Sequence, residues 1–169
     1  MSLPLTELPD SARVWIYGLQ RPLDDEKSDA LRTNLLHFVD HWTAHGAQLR
    51  AAIDIIENRF AIVAVDEAVV ETSGCSIDAI VEHMAGIEEE LDCSLLDGMR
   101  VFYRTDQGEI KSCDRSVFRT EAELGTISKS TPVFDLTIST LGEFRSGALE
   151  RPLHDSWHRH LVNKALKSS

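Results

Sequence analysis

The sequence lacks long apolar runs and paired cysteines, and both absences narrow the class of protein. No run of about 18 apolar residues occurs, so no membrane-spanning helix is expected, and the N-terminus lacks the order of a signal peptide. The three cysteines, Cys75, Cys93 and Cys113, form no CxxC motif, which argues against a disulfide framework or a structural zinc site. We therefore predict a cytoplasmic protein without a bound metal.

Basic residues are also scarce. Seventeen Lys and Arg residues stand against 28 Asp and Glu residues, which gives a formal net charge of −11, and only five of the basic residues are lysines. A net negative charge disfavours binding to nucleic acids, and no cluster of basic residues along the chain offsets it. We expect neither a nucleic-acid partner nor insertion into a membrane. The expected partner is a small molecule or a protein, which the sequence does not identify.

Nucleotide-binding motifs are missing as well. The patterns GxxxxGK[ST], GxGxxG, GxSxG and HExxH do not occur. The stretch from Gly125 to Ser130 comes nearest to a P-loop, but it lacks the second glycine before Lys129. The sequence therefore argues against ATP hydrolysis by a P-loop, and no cofactor is expected.

The chain does contain an alternation of apolar strands and amphipathic helices. In chain order, the expected segments are a strand at 13–17, a helix at 23–44, strands at 48–56 and 60–65, a helix at 76–91 and a strand at 99–103. The order β-α-β-β-α-β is the split βαβ arrangement. We therefore predict an α+β fold, a ferredoxin-like sandwich over about residues 12–105, in which Gly46 ends the first helix.

The rest of the chain, about residues 106–167, is predicted to extend the same core. The expected features are a turn at 106–108, a helix capped by Asp114 and ended by Gly125, a strand at 133–138, a turn at 141–142 and a final helix to Leu166. We thus expect one domain over residues 1–169, with a C-terminal extension of helix, hairpin and helix.

The segment from Thr72 to Asp78 is the strongest candidate for chemistry. It follows the third predicted strand and opens the second predicted helix, which places Cys75 in a first turn. There the helix dipole and the unpaired backbone N–H groups favour a thiolate. A packing role for Cys75 stands beside this chemical role, because cysteine is among the residue types most often buried.

The predicted topology gathers other polar residues around Cys75. In a split βαβ sheet the third strand lies between the first and second strands, so its end meets the start of the second strand and the end of the first helix. A thiol, an imidazole and a carboxylate that meet at a helix N-terminus suit nucleophilic chemistry. The candidate catalytic residues are Cys75, His45, His41 and Asp66, and the candidate ligand-binding residues are Glu67, Ser73, Gly74, Ser76 and Arg13.

Histidines recur every four residues at His37, His41 and His45, a spacing that brings side chains onto one helical face. A metal site and half-buried packing beside the apolar stripe both fit this pattern, and without an HExxH motif no metal is predicted. The run from His154 to His160 is equally ambiguous, since a catalytic triad assembles through the fold and not from neighbours in sequence.

Several short motifs together resemble a protein family. They are Val14–Tyr17, Asn58–Phe60, Ala64–Glu67, Ser73–Asp78 and Asp155–His158. This combination resembles a family of small bacterial proteins of unknown function that are often labelled "ABC transporter ATPase", over about residues 8–162. The Walker A loop, the Walker B aspartate and the LSGGQ-type signature that this label implies are missing from the sequence. The resemblance implies no catalytic residues.

Two functions are consistent with these observations. The first is a non-enzymatic module that binds a small ligand or a protein through the cleft at the Cys75 edge or through a sheet face. The alternative is a thiol-dependent enzyme or redox sensor with Cys75 as nucleophile and His45 or His41 as base. Exposed sheet edges also suggest a homodimer.

Overall fold

The computed structural model describes residues 2–166 and shows a mixed α+β fold with antiparallel sheets. Its helices are α1 (Asp25–Asp40), α2 (Gly74–Leu91), α3 (Arg115–Glu123), α4 (Leu141–Arg145) and α5 (Arg159–Leu166). Its strands are β1 (Arg13–Gly18), β2 (Thr43–Ala44), β3 (Ala47–Gln48), β4 (Arg50–Ile56), β5 (Phe60–Asp66), β6 (Val101–Arg104), β7 (Ile110–Cys113), β8 (Pro132–Phe134) and β9 (Glu150–Pro152). Within this described part, no helix has the length and apolar character needed to span a bilayer.

The described residues divide into two compact units. The first contains residues 2–96 together with Leu136–Ser146, and the second contains Asp97–Asp135 together with residues 147–166. The second unit therefore begins before residue 106, where the C-terminal extension was expected to start. The expectation of a single domain stays a prediction.

The first unit is built on a central strand that is buried along its whole length. β5 pairs antiparallel with β1 on one side and with β4 on the other, so that Ala64 lies opposite both Val14 and Ala52. All seven residues of β5 are buried, which agrees with the apolar run that predicted this strand. The predicted arrangement of these three strands, with the third between the first and second, is therefore confirmed.

The ferredoxin-like topology is wrong for the fourth strand. That topology requires the strand near residues 99–103 to lie beside β1, whereas β6 belongs to a separate sheet of order β7-β6-β8-β9. β1 is instead joined by the segment before α4, where the Val14 N–H donates to the Ser139 carbonyl at 2.9 Å. Both edges of β6 are occupied in that sheet, since β6 forms a hairpin with β7, a strand that the sequence analysis did not predict, and pairs with β8 on its other side.

The first helix is shorter than predicted, and this changes the geometry near the cleft. α1 begins after the N-cap Asp24, whose side chain accepts from the Lys27 N–H, and it ends at Asp40. The next residues form the β2–β3 hairpin, in which His45 and Gly46 have positive φ angles of 53° and 77°. Gly46 therefore serves a hairpin turn and does not end the helix. His45 consequently leaves the helical row that contains His37 and His41.

α1 and α2 supply the apolar residues that pack with the first sheet. Their fully or nearly fully buried members are Leu31, Leu35 and Val39 of α1 and Ile80, Met84 and Ile87 of α2, in one cluster with Ile53, Val63 and Val65. The helical spacing of these positions is the pattern that predicted both helices. This packing holds the end of α1 near the start of α2.

The second unit has its own core between its sheet and its helices. Buried members of this core are Val101, Tyr103, Phe118, Ile127, Val133, Leu153 and Val162. The strand predicted at 133–138 is wrong over its last four residues, because β8 ends at Phe134. The turn predicted at 141–142 is the start of α4 in the first unit, where Thr140 and Glu143 form a capping box.

Candidate functional site

A cleft of about 710 Å³ opens in the first unit where the end of α1, the β2–β3 hairpin and the start of α2 meet. Its volume falls in the range of about 300–1,000 Å³ that is typical of small-molecule sites. The described residues that line it are imidazoles, hydroxyls, aromatic rings, small side chains and one thiol: His37, His41, His45, His83, Thr43, Ser73, Ser76, Phe38, Trp42, Ala44, Ala79 and Cys75.

The start of α2 is fixed by a capping box. The Ser76 N–H donates to Ser73 Oγ at 3.1 Å, and the Ser73 N–H donates to Ser76 Oγ at 2.7 Å. The Ser76 hydroxyl also donates to the Ser73 carbonyl at 2.8 Å. These two serines, predicted to bind a ligand, therefore lie at the cleft but use their hydroxyls to build its rim.

Aromatic rings form the inner wall of the cleft. Trp42 is buried, and its Nε1–H donates to the Ser76 carbonyl at 2.8 Å, which ties the segment after α1 to the first turn of α2. The Phe38 ring lies 5.4 Å from the Trp42 ring, and the Trp15 ring meets Trp42 edge-on at 6.1 Å. The wall is therefore held in place by a hydrogen bond and by ring packing.

His41 is the C-cap of α1 and is oriented by the last turn of that helix. Its Nδ1 lies 2.9 Å from the His37 carbonyl oxygen, and the two imidazole rings are 4.7 Å apart. Because a carbonyl oxygen only accepts hydrogen bonds, Nδ1 carries the hydrogen in the neutral ring. Nε2 is then the unprotonated nitrogen, able to accept a proton or a hydrogen bond.

His83 was not singled out in the sequence, and it plays a different part from His41. Its ring stacks on Phe38 with centroids 4.5 Å apart, and its Nε2 lies 2.5 Å from Asn34 Oδ1. Burial lowers the pKa of His83 below its ordinary value; the Glu90 carboxylate opposes this shift and His37 adds to it. His83 therefore favours the neutral form and contributes a flat ring to the wall.

Cys75 is the second residue of α2, and its side chain is exposed in the cleft. The cleft brings it together with His41 and His45, as the predicted topology required, and with Ser73 and Ser76 at the rim. Gly74 is the first residue of α2 but does not line the cleft, and a Cβ added there would meet no atom within 4 Å.

The other predicted site residues do not line this cleft. Asp66, expected to orient the base, has Oδ2 at 3.8 Å from Arg50 Nε, while Oδ1 accepts from the Ala68 N–H at 3.1 Å. An aspartate held by its own turn and by a neighbouring strand does not orient His41. The carbonyl of His37 takes that place.

Glu67 and Arg13 form a separate group at the end of β5. The Thr72 N–H donates to Glu67 Oε2 at 2.9 Å, and Arg13 Nη1 lies 3.7 Å from Glu67 Oε1. The Arg13 guanidinium also lies 4.6 Å from the centre of the Trp15 ring. These contacts organise the segment that leads into α2 and do not face the cleft lining.

Sequence analysis missed the contributions of Phe38, Trp42 and His83 to one wall. A signal was present in the second helix, since residues 76, 79 and 83 follow the helical spacing that places side chains on one face. Among the described residues, no group of three or more His, Cys, Asp and Glu side chains is arranged to hold a metal ion.

The C-terminal histidine run is split between the surface and the core of the second unit. His154 and His160 are exposed, whereas His158 is 2% exposed. The His158 ring stacks on Trp157 at 4.0 Å, and its Nδ1 lies 2.7 Å from Ser156 Oγ. This serine and histidine are therefore packed inside the unit.

No family model matches the chain, and neither do any curated protein or solved structure. The resemblance of residues 8–162 to small bacterial proteins of unknown function therefore stays a prediction. These comparisons therefore give no information about a ligand for the cleft.

Proposed function

We propose that this chain binds a small organic molecule in the cleft between α1, the β2–β3 hairpin and α2, without carrying out chemistry on it. The observation that carries this proposal is the combination of ring faces, imidazoles and hydroxyls around a space of about 710 Å³. Apolar surface with a few convergent polar groups is the usual composition of a ligand site.

The fixed positions of the lining residues support a binding role. Trp42 is hydrogen-bonded to the first turn of α2, His41 to the last turn of α1, and Ser73 to Ser76. Because these side chains are already ordered, a ligand does not have to immobilise them. The entropic cost of binding is correspondingly reduced.

Ligand-observed NMR with a set of aromatic fragments tests this proposal. Ala79→Phe places a ring in the cleft. We expect the wild type to bind fragments and this variant to have lost that binding. Ala85→Phe is the matched control, because Ala85 is exposed on the same helix and does not line the cleft. A wild type that binds no fragment, or an Ala79→Phe variant that binds as well as the wild type, would contradict the proposal.

A thiol-dependent reaction is the second candidate function, and one specific observation favours it. Cys75 is exposed in the same cleft as His41, whose Nε2 is the proton-accepting nitrogen of the neutral ring. In this alternative, His41 Nε2 takes the proton of the Cys75 thiol, and the thiolate forms a bond to an acyl carbon of the ligand. The bond from that carbon to its leaving group breaks, and the leaving group departs with the proton that His41 held.

The alkylation rate of Cys75 by iodoacetamide separates the two functions. Mass spectrometry of the resulting peptides follows each cysteine separately, and Cys113 serves as a slow reference because burial raises its pKa to about 11. If Cys75 is activated, it should be alkylated at a lower pH than an ordinary thiol, and its alkylation rate should fall in His41→Gln. Alkylation that follows an ordinary thiol in both proteins would rule out the thiol-dependent function.

A further inference from the structure

We infer that the ligand of this cleft carries an anionic group on a flat ring, and that the anionic group contacts the imidazoles of His37, His41 and His45. The inference rests on the proposed function and adds the chemical class of the ligand. It follows from the charge, orientation and packing of the lining residues.

The ionisable groups on the described lining are four imidazoles and one thiol. Imidazoles acquire positive charge as the pH falls, so the cleft can become locally cationic on a chain of net charge −11. Among the described lining residues no carboxylate faces the cleft to pair with a cation, whereas an anion is complementary to imidazolium and hydroxyl donors. Charge complementarity therefore selects an anion.

The four imidazoles do not share one role. His83 favours the neutral form and is occupied by Asn34 and by the Phe38 ring. His41 donates from Nδ1 to the His37 carbonyl, so only Nε2 remains for a ligand. That nitrogen is a donor in the imidazolium form, which is the form that pairs with an anion.

Other titratable groups of the cleft come from three elements. His37 belongs to α1, His45 to the hairpin, and Cys75 and His83 to α2. Asp40 precedes His41 and accepts from the Ser2 N–H. Because imidazolium is complementary to an anion and neutral imidazole is not, affinity for an anion should fall as the pH rises.

The aromatic wall determines the rest of the ligand. Phe38 and Trp42 lie next to each other, and Ala79 of α2 contributes only a methyl group to the same lining. A flat ring packs against such faces with little loss of conformational entropy. The geometry therefore fits a compact ring with one carboxylate or phosphate substituent.

Benzoate and benzamide test the charge requirement because they have nearly the same shape. Calorimetric titration is carried out at about pH 6 and about pH 8, the range over which imidazole changes its charge, in buffers without carboxylate or phosphate. We expect benzoate to bind about tenfold more tightly than benzamide at the lower pH, with proton uptake, and to lose much of this preference at the higher pH. Phenyl phosphate in the same series decides between the two anionic groups.

Two variants locate the charge. His41→Gln and His45→Gln should each reduce the preference for benzoate several-fold while leaving benzamide binding nearly unchanged. His154→Gln is the matched control, because His154 is an exposed histidine that does not line the cleft.

Failure of this inference and failure of the proposed function give different results. If benzoate and benzamide bind equally at both pH values, or only neutral fragments bind, the anionic ligand class is wrong and the binding cleft stands. If no fragment of any charge binds the wild type, both proposals are wrong. Unchanged preference in both histidine variants would overturn the assignment of the anionic group to these imidazoles.

Discussion

In the first unit His41 and Trp42 line an open cleft, whereas in the second unit Trp157 and His158 are packed among other side chains. The Trp42 indole donates to a backbone carbonyl, and the Trp157 indole donates to Asp135 Oδ1 at 3.1 Å. Both indoles are therefore satisfied. The difference between the two regions lies in the imidazoles.

His158 is enclosed by protein on the sides that a ligand would need. Trp157 stacks on it, the Phe118 ring meets it edge-on at 6.5 Å, and Ser156 Oγ lies at its Nδ1. His41 lines a cleft instead, and only its Nδ1 is held, by the His37 carbonyl. The comparison shows that neighbouring histidine and tryptophan contribute to packing in one region and form a candidate ligand site in the other.

The largest expected effect comes from removing the aromatic packing of the second unit. Phe118 is fully buried, so Phe118→Ala should lower the free energy of unfolding by about 3–5 kcal/mol. Urea unfolding followed by circular dichroism measures this change. Phe38→Ala is the comparison in the cleft wall, and it should cost less because Phe38 is only partly buried. Equal losses would contradict the distinction between a packed core and an open wall.

The burial of His158 should make the stability of the protein sensitive to acid. Burial lowers the pKa of His158 from 6.5 to about 4, with Arg115 and Arg151 adding to the shift and Asp135 opposing it. Between these values the unfolded chain binds a proton that the folded chain does not, so stability falls as the pH falls. The loss attributable to His158 is about 3 kcal/mol over this window.

The pH dependence of the free energy of unfolding of His158→Gln provides the check. This variant should lack the part of the acid-induced loss that His158 contributes, whatever its stability at neutral pH. His41→Gln serves as the control from the cleft. If His158→Gln and the wild type show the same pH dependence of the free energy of unfolding, the buried histidine does not cause the loss of stability in acid.

A smaller effect is expected at the rim of the cleft. Ser73→Ala removes the N-cap of α2 and should lower the free energy of unfolding by about 1 kcal/mol. Ser73→Asp keeps a capping oxygen and should retain most of the stability, while its negative charge should weaken benzoate binding. Chemical denaturation and calorimetry of both variants measure the two effects separately. Unchanged benzoate binding in Ser73→Asp would count against an anion near this rim.

The smallest effects should come from ion pairs at the surface of each unit. Arg104 contacts Glu150 with two nitrogens, at 2.6 and 3.0 Å, whereas Arg32 contacts Asp54 at 2.9 Å with both side chains more exposed. A double-mutant cycle should give a coupling of about 0.5–1 kcal/mol for the first pair and less than about 0.5 kcal/mol for the second. The reverse order would contradict the dependence on geometry and exposure.

Local sequence signals predicted the elements that depend on neighbours along the chain. The apolar run from Phe60 to Val65 indicated a buried central strand, and Asp114 was correctly taken as the cap of α3. β7 was missed because its four residues, which include Lys111 and Ser112, show no clear apolar alternation. The predicted position of β6 beside β1 was wrong because β7 and β8 pair with its two edges, which leaves neither edge for β1.

The sequence by itself determined the central strand, the existence of α1, α2 and α3, and the expectation that Cys75, His41 and His45 share one region, where all three line the cleft. These follow from apolar periodicity and from the strand order of a split βαβ unit, which are properties of the chain pattern. Only the tertiary structure decided that Asp66 pairs with Arg50, that His83 stacks on Phe38 and that His158 is buried. The physical reason is that such partners come from segments distant in sequence, and their hydrogen bonds and burial depend on separations of a few ångströms that packing alone sets.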